Sequence, residues 1–178
     1  EAIDILEDVS EAAYGFVTTL ARTLMPPMDK KITGYHGGSN RRFVGRFNHY
    51  NPQQKGISSS NIATSLIHES IHTYLYITEY RRTPAPYDIL FKTYVQSAWS
   101  GTHIHLCSYI HAAHVWYGLH RFWSLPKGEN HDLNTRDYYL ETSEQGFQDN
   151  QMISRLSEYR KEIHPQVWAD LEYLQESF

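Results

Sequence analysis

The sequence predicts a mainly α protein with a small β element in its first third. Apolar residues recur at helical spacing along most of the 178 residues, and Pro-containing segments separate the predicted helices. Only the stretch 28–58, rich in Gly, Asn and basic residues, departs from this pattern. A chain of this length can bury a sizeable core, so we expect residues 1–178 to form a single compact domain.

The first elements follow from apolar spacing and turn residues. Residues 2–25 form a predicted amphipathic helix, which Pro26 and Pro27 end. Residues 42–47 read as a short strand, in a hairpin with residues 31–33 or with the region near Ile57. The segment Gly37-Gly38-Ser39-Asn40 is a predicted turn.

The strongest predicted helix covers residues 61–82, after the N-cap candidates of segment 58–61. Its apolar residues lie around most of its circumference, which is typical of a buried helix. Residues 97–101 are a predicted loop. Further helices are predicted for residues 88–96, 104–124, 134–161 (one helix or two) and a terminal segment that starts with His164-Pro165.

Composition excludes several classes of protein. The net charge of −4 provides no basic surface for nucleic acid or an anionic membrane. No apolar run approaches the ~20 residues needed to span a bilayer, and the N-terminus does not resemble a signal peptide. The single Cys107 excludes an intrachain disulfide framework and is compatible with a reducing compartment. We therefore expect a cytoplasmic protein.

One motif carries most of the chemical information. His68-Glu69-Ser70-Ile71-His72 spells H-E-x-x-H, a metal-site motif when it lies on a helix. Residues four apart share a helix face, so the imidazoles of His68 and His72 can converge on one ion. Glu69 is rotated partly away, where it can reach a metal-bound water or orient a ligand. These residues predict a metal site.

Two His hold a divalent ion poorly, so a third ligand is expected. Glu79 lies on the face of His72, but seven residues rise about 10 Å along the helix, too far to share the ion. Thr78 occupies the position of the third His in the metzincin pattern. The later helix 104–124 supplies His105, His111, His114 and His120 instead. We favour His111 as the ligand, with His114 in reserve.

The order of further segments resembles a known family. The motif is followed by Ser97-Ala98-Trp99-Ser100-Gly101, then Ser108-Tyr109-Ile110-His111-Ala112-Ala113-His114-Val115-Trp116, then Arg121-Phe122-Trp123. Over roughly 55–124 this is similar to the 2-oxoglutarate-dependent HExxH-type peptide β-hydroxylases of peptide-modification gene clusters. In that family Pro usually stands in place of Ala98, and a basic residue often in place of Ser100.

The resemblance implies that His68, His72 and His111 hold Fe(II), beside open positions for 2-oxoglutarate and O2. Imidazole suits both iron and zinc, so the ligands alone do not choose the metal. The distal carboxylate of 2-oxoglutarate needs a cation, usually Arg for its bidentate fork. Among four candidates we favour Arg121. The other three lie upstream of the motif: Arg41, Arg42 and Arg46.

Three functions remain open from sequence. The first is an Fe(II)/2-oxoglutarate-dependent dioxygenase that hydroxylates a carbon of a peptide or amino-acid substrate. The second is a zinc metallopeptidase or hydrolase in which Zn(II) activates water and Glu69 is the general base. The third is a helical binding domain with a structural metal. None of them involves nucleic acid or a membrane, and the oligomeric state stays open.

Overall fold

The computed structural model describes residues 1–26 and 34–178. It is mainly α, as predicted. The predicted helix over 2–25 is wrong as a single element, because α1 spans Ala2–Val9 and α2 spans Glu11–Leu20. Between them Ser10 is extended (φ −159°, ψ 111°), and its hydroxyl accepts a hydrogen bond from the backbone N–H of Ala13. Ser10 thus ends one helix and caps the next.

The predicted β element is a three-stranded sheet. It contains β1 (Thr23–Met25), β2 (His36–Ser39) and β3 (Arg46–Tyr50). The central strand β3 pairs in parallel with β1 and antiparallel with β2. The proposed partner strand at residues 31–33 lies outside the described residues.

Two local predictions in this region are wrong. The strand predicted at 42–47 begins instead at Arg46, because Asn40 organises a turn: its side-chain Oδ1 accepts from the N–H of Arg42. The expected turn at 37–40 is largely strand β2. Gly37 lies so close to Ser65 that a Cβ at this position would clash with the Ser65 hydroxyl. The glycine therefore lets β2 lie directly against the helix that carries the motif.

That helix, α3, spans Ser59–Glu79. The Ser58 hydroxyl accepts from the N–H of Asn61, and the Asn61 side chain accepts from the N–H of Ser58, which forms a capping box. Pro84 follows shortly after the helix ends. α3 packs against α1, α2, β2 and the long helix α5 (Leu106–Trp123). The predictions of helices over 61–82 and 104–124 are confirmed in essence.

Between α3 and α5 lie α4 (Tyr87–Lys92) and a hairpin of β4 (Tyr94–Gln96) and β5 (His103–His105). The helix predicted for 88–96 therefore ends early, and its last residues form a strand. The predicted loop at 97–101 connects the two strands.

The C-terminal third contains α6 (Leu133–Phe147), α7 (Gln151–Ser154) and α8 (Pro165–Glu176). The helical segment predicted for 134–161 is interrupted because Asp149 and Asn150 adopt left-handed backbone conformations, with φ of 53° and 59°. Asp and Asn tolerate this region better than most residues. Pro165 occupies the first turn of α8, as predicted.

Helix α5 belongs to both hydrophobic cores of the described residues. Its first half, including Leu106 and Tyr109, packs with α4, the β4–β5 hairpin, α7 and α8. Its second half, including Leu119 and Phe122, packs with α1, α2 and α3. The crossing of α3 and α5 thus fixes which of their side chains face each other. No helix in the described ranges is both long and apolar enough to cross a bilayer.

Candidate metal centre

The two motif histidines face the same side of α3. Their Nε2 atoms are 3.0 Å apart. This separation follows from the four-residue spacing on a regular helix, since both side chains leave the same face one turn apart. Both rings border one cavity. Their nitrogens therefore converge as the sequence predicts for a metal pair.

His111 joins this pair across the helix crossing. Its Nδ1 lies 2.9 Å from Nδ1 of His72, and the residue is buried. The three rings form a row with His72 in the middle, because His72 meets His68 through Nε2 and His111 through Nδ1. The structure thus brings the three rings into contact through His72. Their donor atoms do not meet at one point as placed, because in the described part of the chain the group with all donor atoms within 4.8 Å of one another is Glu79, Cys107 and His111.

Glu79 contacts the second nitrogen of the His111 ring. Its Oε1 lies 2.7 Å from Nε2 of His111. A carboxylate there favours the tautomer that carries its proton on Nε2, which leaves the lone pair of Nδ1 directed toward His72. Glu79 is thus remote from His68, as its position along α3 predicts, yet it contacts the third histidine. Sequence reasoning missed this orienting role.

Arg41 completes the chain of contacts. Its Nη2 donates to Oε2 of Glu79 at 2.5 Å. Its guanidinium carbon lies 5.6 Å from the centroid of the Tyr76 ring and 5.5 Å from that of Phe91, within range for cation–π attraction. The Arg41 side chain keeps 39% of its surface exposed. A cation therefore lies beside the predicted metal ligands and remains accessible.

The three histidines and Arg41 all line one open cavity of about 670 Å³. Its volume lies within the ordinary range for small-molecule sites. Aromatic rings supply much of the remaining wall: Tyr76, Tyr87, Phe91 and Trp116. Imidazole rings, a cation and apolar side chains thus line the same cavity.

Glu69 is placed differently from its motif neighbours. Its side chain is only 6% exposed, and its Oε1 lies 3.9 Å from Nε2 of His68. Burial raises the pKa of its carboxyl, an effect that Ser39 partly counters. It borders a smaller cavity of about 390 Å³ behind His68, together with Tyr35 and Tyr139. It does not line the larger cavity.

The electrostatic environment favours neutral imidazoles. Burial, together with the neighbouring His68 and His111, lowers the pKa of His72 to about 2. Burial lowers the pKa of His68 to about 4, although its side chain keeps 40% of its surface exposed. Neutral rings offer the lone pairs that a metal requires. The donor set therefore fits iron or zinc.

The structure does not bring Arg121 to this site. Arg121 is exposed near the end of α5, ten residues and roughly 15 Å along the axis from His111. It is absent from the cavity wall, where Arg41 stands instead. His114 also faces elsewhere: its Nδ1 lies 2.9 Å from the carbonyl of Ile110, and its ring borders a separate cavity of about 300 Å³.

Cys107 is a further residue that sequence reasoning did not place here. It lies one turn before His111 on α5 and is 7% exposed. Its Sγ is 3.7 Å from Nη2 of Arg41. Burial raises the pKa of this thiol to about 11. Two spacings in the sequence place these side chains on shared helix faces: four residues between Cys107 and His111, and seven between His72 and Glu79. Neither spacing shows how α3 and α5 cross, so neither predicts that the two faces meet.

Comparison with known proteins adds no assignment. No protein-family model matches the chain, and no curated protein is detectably similar to it. A proposal for its function therefore rests on the site geometry and on the resemblance described above.

Proposed function

We propose that this chain is a metal-dependent oxygenase that hydroxylates a carbon of a peptide or amino acid, using Fe(II) and 2-oxoglutarate. One observation carries the proposal: the three histidines and Arg41 line the same cavity. An oxygenase of this class needs metal ligands and a cation for the co-substrate within one open site. The proposal includes a cytoplasmic location, which suits a free buried thiol.

His68, His72 and His111 would hold the metal. His68 and His72 would contribute Nε2, while His111 would contribute Nδ1, because Glu79 engages its Nε2. Nδ1 of His111 now faces Nδ1 of His72, so the His72 ring must turn for the three nitrogens to meet at one ion. Iron(II) with 2-oxoglutarate and O2 supplies the oxidising power needed to hydroxylate an unactivated carbon.

Arg41 would hold the distal carboxylate of 2-oxoglutarate. Its guanidinium carries five N–H donors, whereas the contacts with Glu79 and Cys107 use one nitrogen, Nη2. The guanidinium carbon also lies 5.6 Å from the centroid of the Tyr76 ring and 5.5 Å from that of the Phe91 ring. Arg41 replaces Arg121 in this role, since Arg121 does not reach the cavity.

A zinc hydrolase is the second candidate, and one observation favours it. The Glu69 carboxyl lies 3.9 Å from Nε2 of His68, and burial raises its pKa, as is common for a general base. In that reaction Glu69 must reach a water bound to the metal. Its exclusion from the larger cavity is the reason we rank the hydrolase second.

Turnover with defined metals tests this ranking. The protein is purified without oxygen, loaded with Fe(II) and given 2-oxoglutarate and O2. We expect oxygen-dependent formation of succinate, even without peptide substrate, at a low rate. Arg41→Lys should raise the KM for 2-oxoglutarate about tenfold or more, because the bidentate contact is lost. Arg42→Lys, at an exposed position of the same turn, is the matched control.

The opposite outcome is equally clear. If the Fe(II) form makes no succinate while the Zn(II) form cleaves peptides and Glu69→Gln stops cleavage, the chain is a hydrolase. An unchanged KM in Arg41→Lys, with succinate still formed, would remove Arg41 from co-substrate binding.

A further inference from the structure

A second cluster of metal-ligand side chains adjoins the three-histidine row. Glu79, Cys107 and His111 each have one donor atom within 4.8 Å of the donor atoms of the other two. They offer oxygen, sulfur and nitrogen. The side chains of Glu79 and His111 are 10% and 4% exposed, and Cys107 is also buried. Such a mixed set with a thiol suits a soft or borderline cation such as zinc or cadmium.

The Arg41 guanidinium, a cation, already contacts two of these three side chains. Nη2 of Arg41 contacts both Oε2 of Glu79 and, at 3.7 Å, Sγ of Cys107. Arg41 lies in a turn, and its side chain is 39% exposed. Because it also lines a neighbouring cavity of about 610 Å³, its guanidinium has space to move away from Glu79. The cluster therefore already holds a positive charge, and the side chain that supplies this charge is partly exposed beside open space.

We propose that Glu79, Cys107 and His111 form a second site, which binds a thiophilic divalent cation in exchange for the Arg41 guanidinium. The charges balance. Before binding, the Glu79 carboxylate is neutralised by Arg41, and Cys107 carries its proton. On binding, the thiol proton leaves to solvent, and the carboxylate and thiolate together neutralise the divalent ion. The guanidinium turns into the cavity.

The two sites compete for His111. In the second site its Nε2, which now faces Glu79, coordinates the thiophilic ion. The proton of the neutral ring must then lie on Nδ1, so the lone pair that faces His72 is lost. This competition rests on the proposed function, whereas the second site itself does not. A thiophilic cation is thereby an inhibitor of the three-histidine site.

Cadmium titration followed by ultraviolet absorption tests the second site. Coordination by a thiolate gives a ligand-to-metal charge-transfer band, which histidine and carboxylate ligands do not give. We expect this band in the parent, saturating at one ion per chain. It should persist in the double variant His68→Ala, His72→Ala and disappear in Cys107→Ser. The metal alone is the probe, so the result does not depend on turnover.

Arg41→Ala separates a built site from chance reaction of a thiol. Removing the guanidinium leaves Glu79 buried without its counter-charge, so cadmium affinity should rise about tenfold or more. Arg42→Ala, at an exposed neighbouring position, should leave it unchanged. Absence of the band in the parent, or a weaker affinity in Arg41→Ala, overturns the proposal.

Competition is measured with ferrous iron. One equivalent of cadmium should weaken Fe(II) binding in the parent at least tenfold and leave it unchanged in Cys107→Ser. If the parent shows the charge-transfer band but no competition, the second site stands and the sharing of His111 is refuted. If Fe(II) does not bind the parent at all, the proposed function fails while the cadmium band still decides the second site.

Discussion

The two halves of the site are built in different ways. His68 and His72 lie one turn apart on α3, so the geometry of a single helix sets the distance between them. The other half joins His111 on α5, Glu79 at the end of α3 and Arg41 in a turn before β3. That half exists only when three separate segments pack. The local half can therefore be predicted from the sequence, whereas the assembled half can be recognised only from the folded structure.

Removing His72, which joins the two halves of the site, should have the largest effect on metal affinity. His72→Ala deletes the ring that contacts both His68 and His111. We expect metal affinity to fall more than 100-fold, beyond the roughly 10- to 100-fold typical of residues that only support ligands. Competition with a chelator measures it. His103→Ala, at the exposed first position of strand β5, is the matched control. Parent-like affinity in His72→Ala would contradict the row of three ligands.

The next change tests the assembled half alone. Glu79→Ala should weaken metal binding by about 10- to 100-fold, because His111 loses the partner that fixes its tautomer. Glu79→Gln should weaken it less, since an amide oxygen still accepts from Nε2. Glu144→Gln, exposed on α6, serves as control. Equal affinities in the parent and Glu79→Ala would show that His111 needs no orienting carboxylate.

This contrast also explains what the sequence could predict. Periodicity and capping residues locate α3 and α5, because those signals act within one segment. The break at Ser10 depends on one hydroxyl that bonds to Ala13, which apolar spacing does not report. Arg121 does not line the cavity although it shares α5 with His111, because ten residues separate the two along the helix, and apolar spacing does not show which arginine of another segment packs there.

Acid should destabilise the metal-free protein through the buried rings. The folded-state pKa of His72 is about 2, far below the ordinary value of about 6.5 for an unfolded His. The unfolded state therefore binds protons first, so stability is complete above about pH 6.5 and decreases as pH falls toward 2. Between pH 7 and 5 we expect His72 to account for a loss of about 1 to 2 kcal/mol.

Urea unfolding at both pH values, with chelator present, measures this loss. His72→Ala should show a smaller decrease than the parent. An identical decrease in the two proteins would mean that His72 is already protonated in the folded state, or that its ring is not desolvated.

The smallest predicted effect belongs to the local half. Ser58→Ala removes the hydroxyl that caps α3 and should cost about 1 kcal/mol of unfolding free energy. Metal stoichiometry should not change, because the helix persists and its His spacing is fixed by the turn. Ser59→Ala, one residue further and bonded at the surface to Glu1, is the control. A loss of metal binding in Ser58→Ala would show that the motif helix depends on its cap for its geometry.

The central claim is that His68, His72 and His111 hold one metal ion together. X-ray absorption at the iron edge, on anaerobic protein with one equivalent of Fe(II), measures the coordination shell directly. We expect nitrogen and oxygen neighbours only, with multiple-scattering features of three imidazoles, reduced to two in His111→Ala. An iron–sulfur distance in the parent, or the same imidazole number in His111→Ala, would contradict the claim.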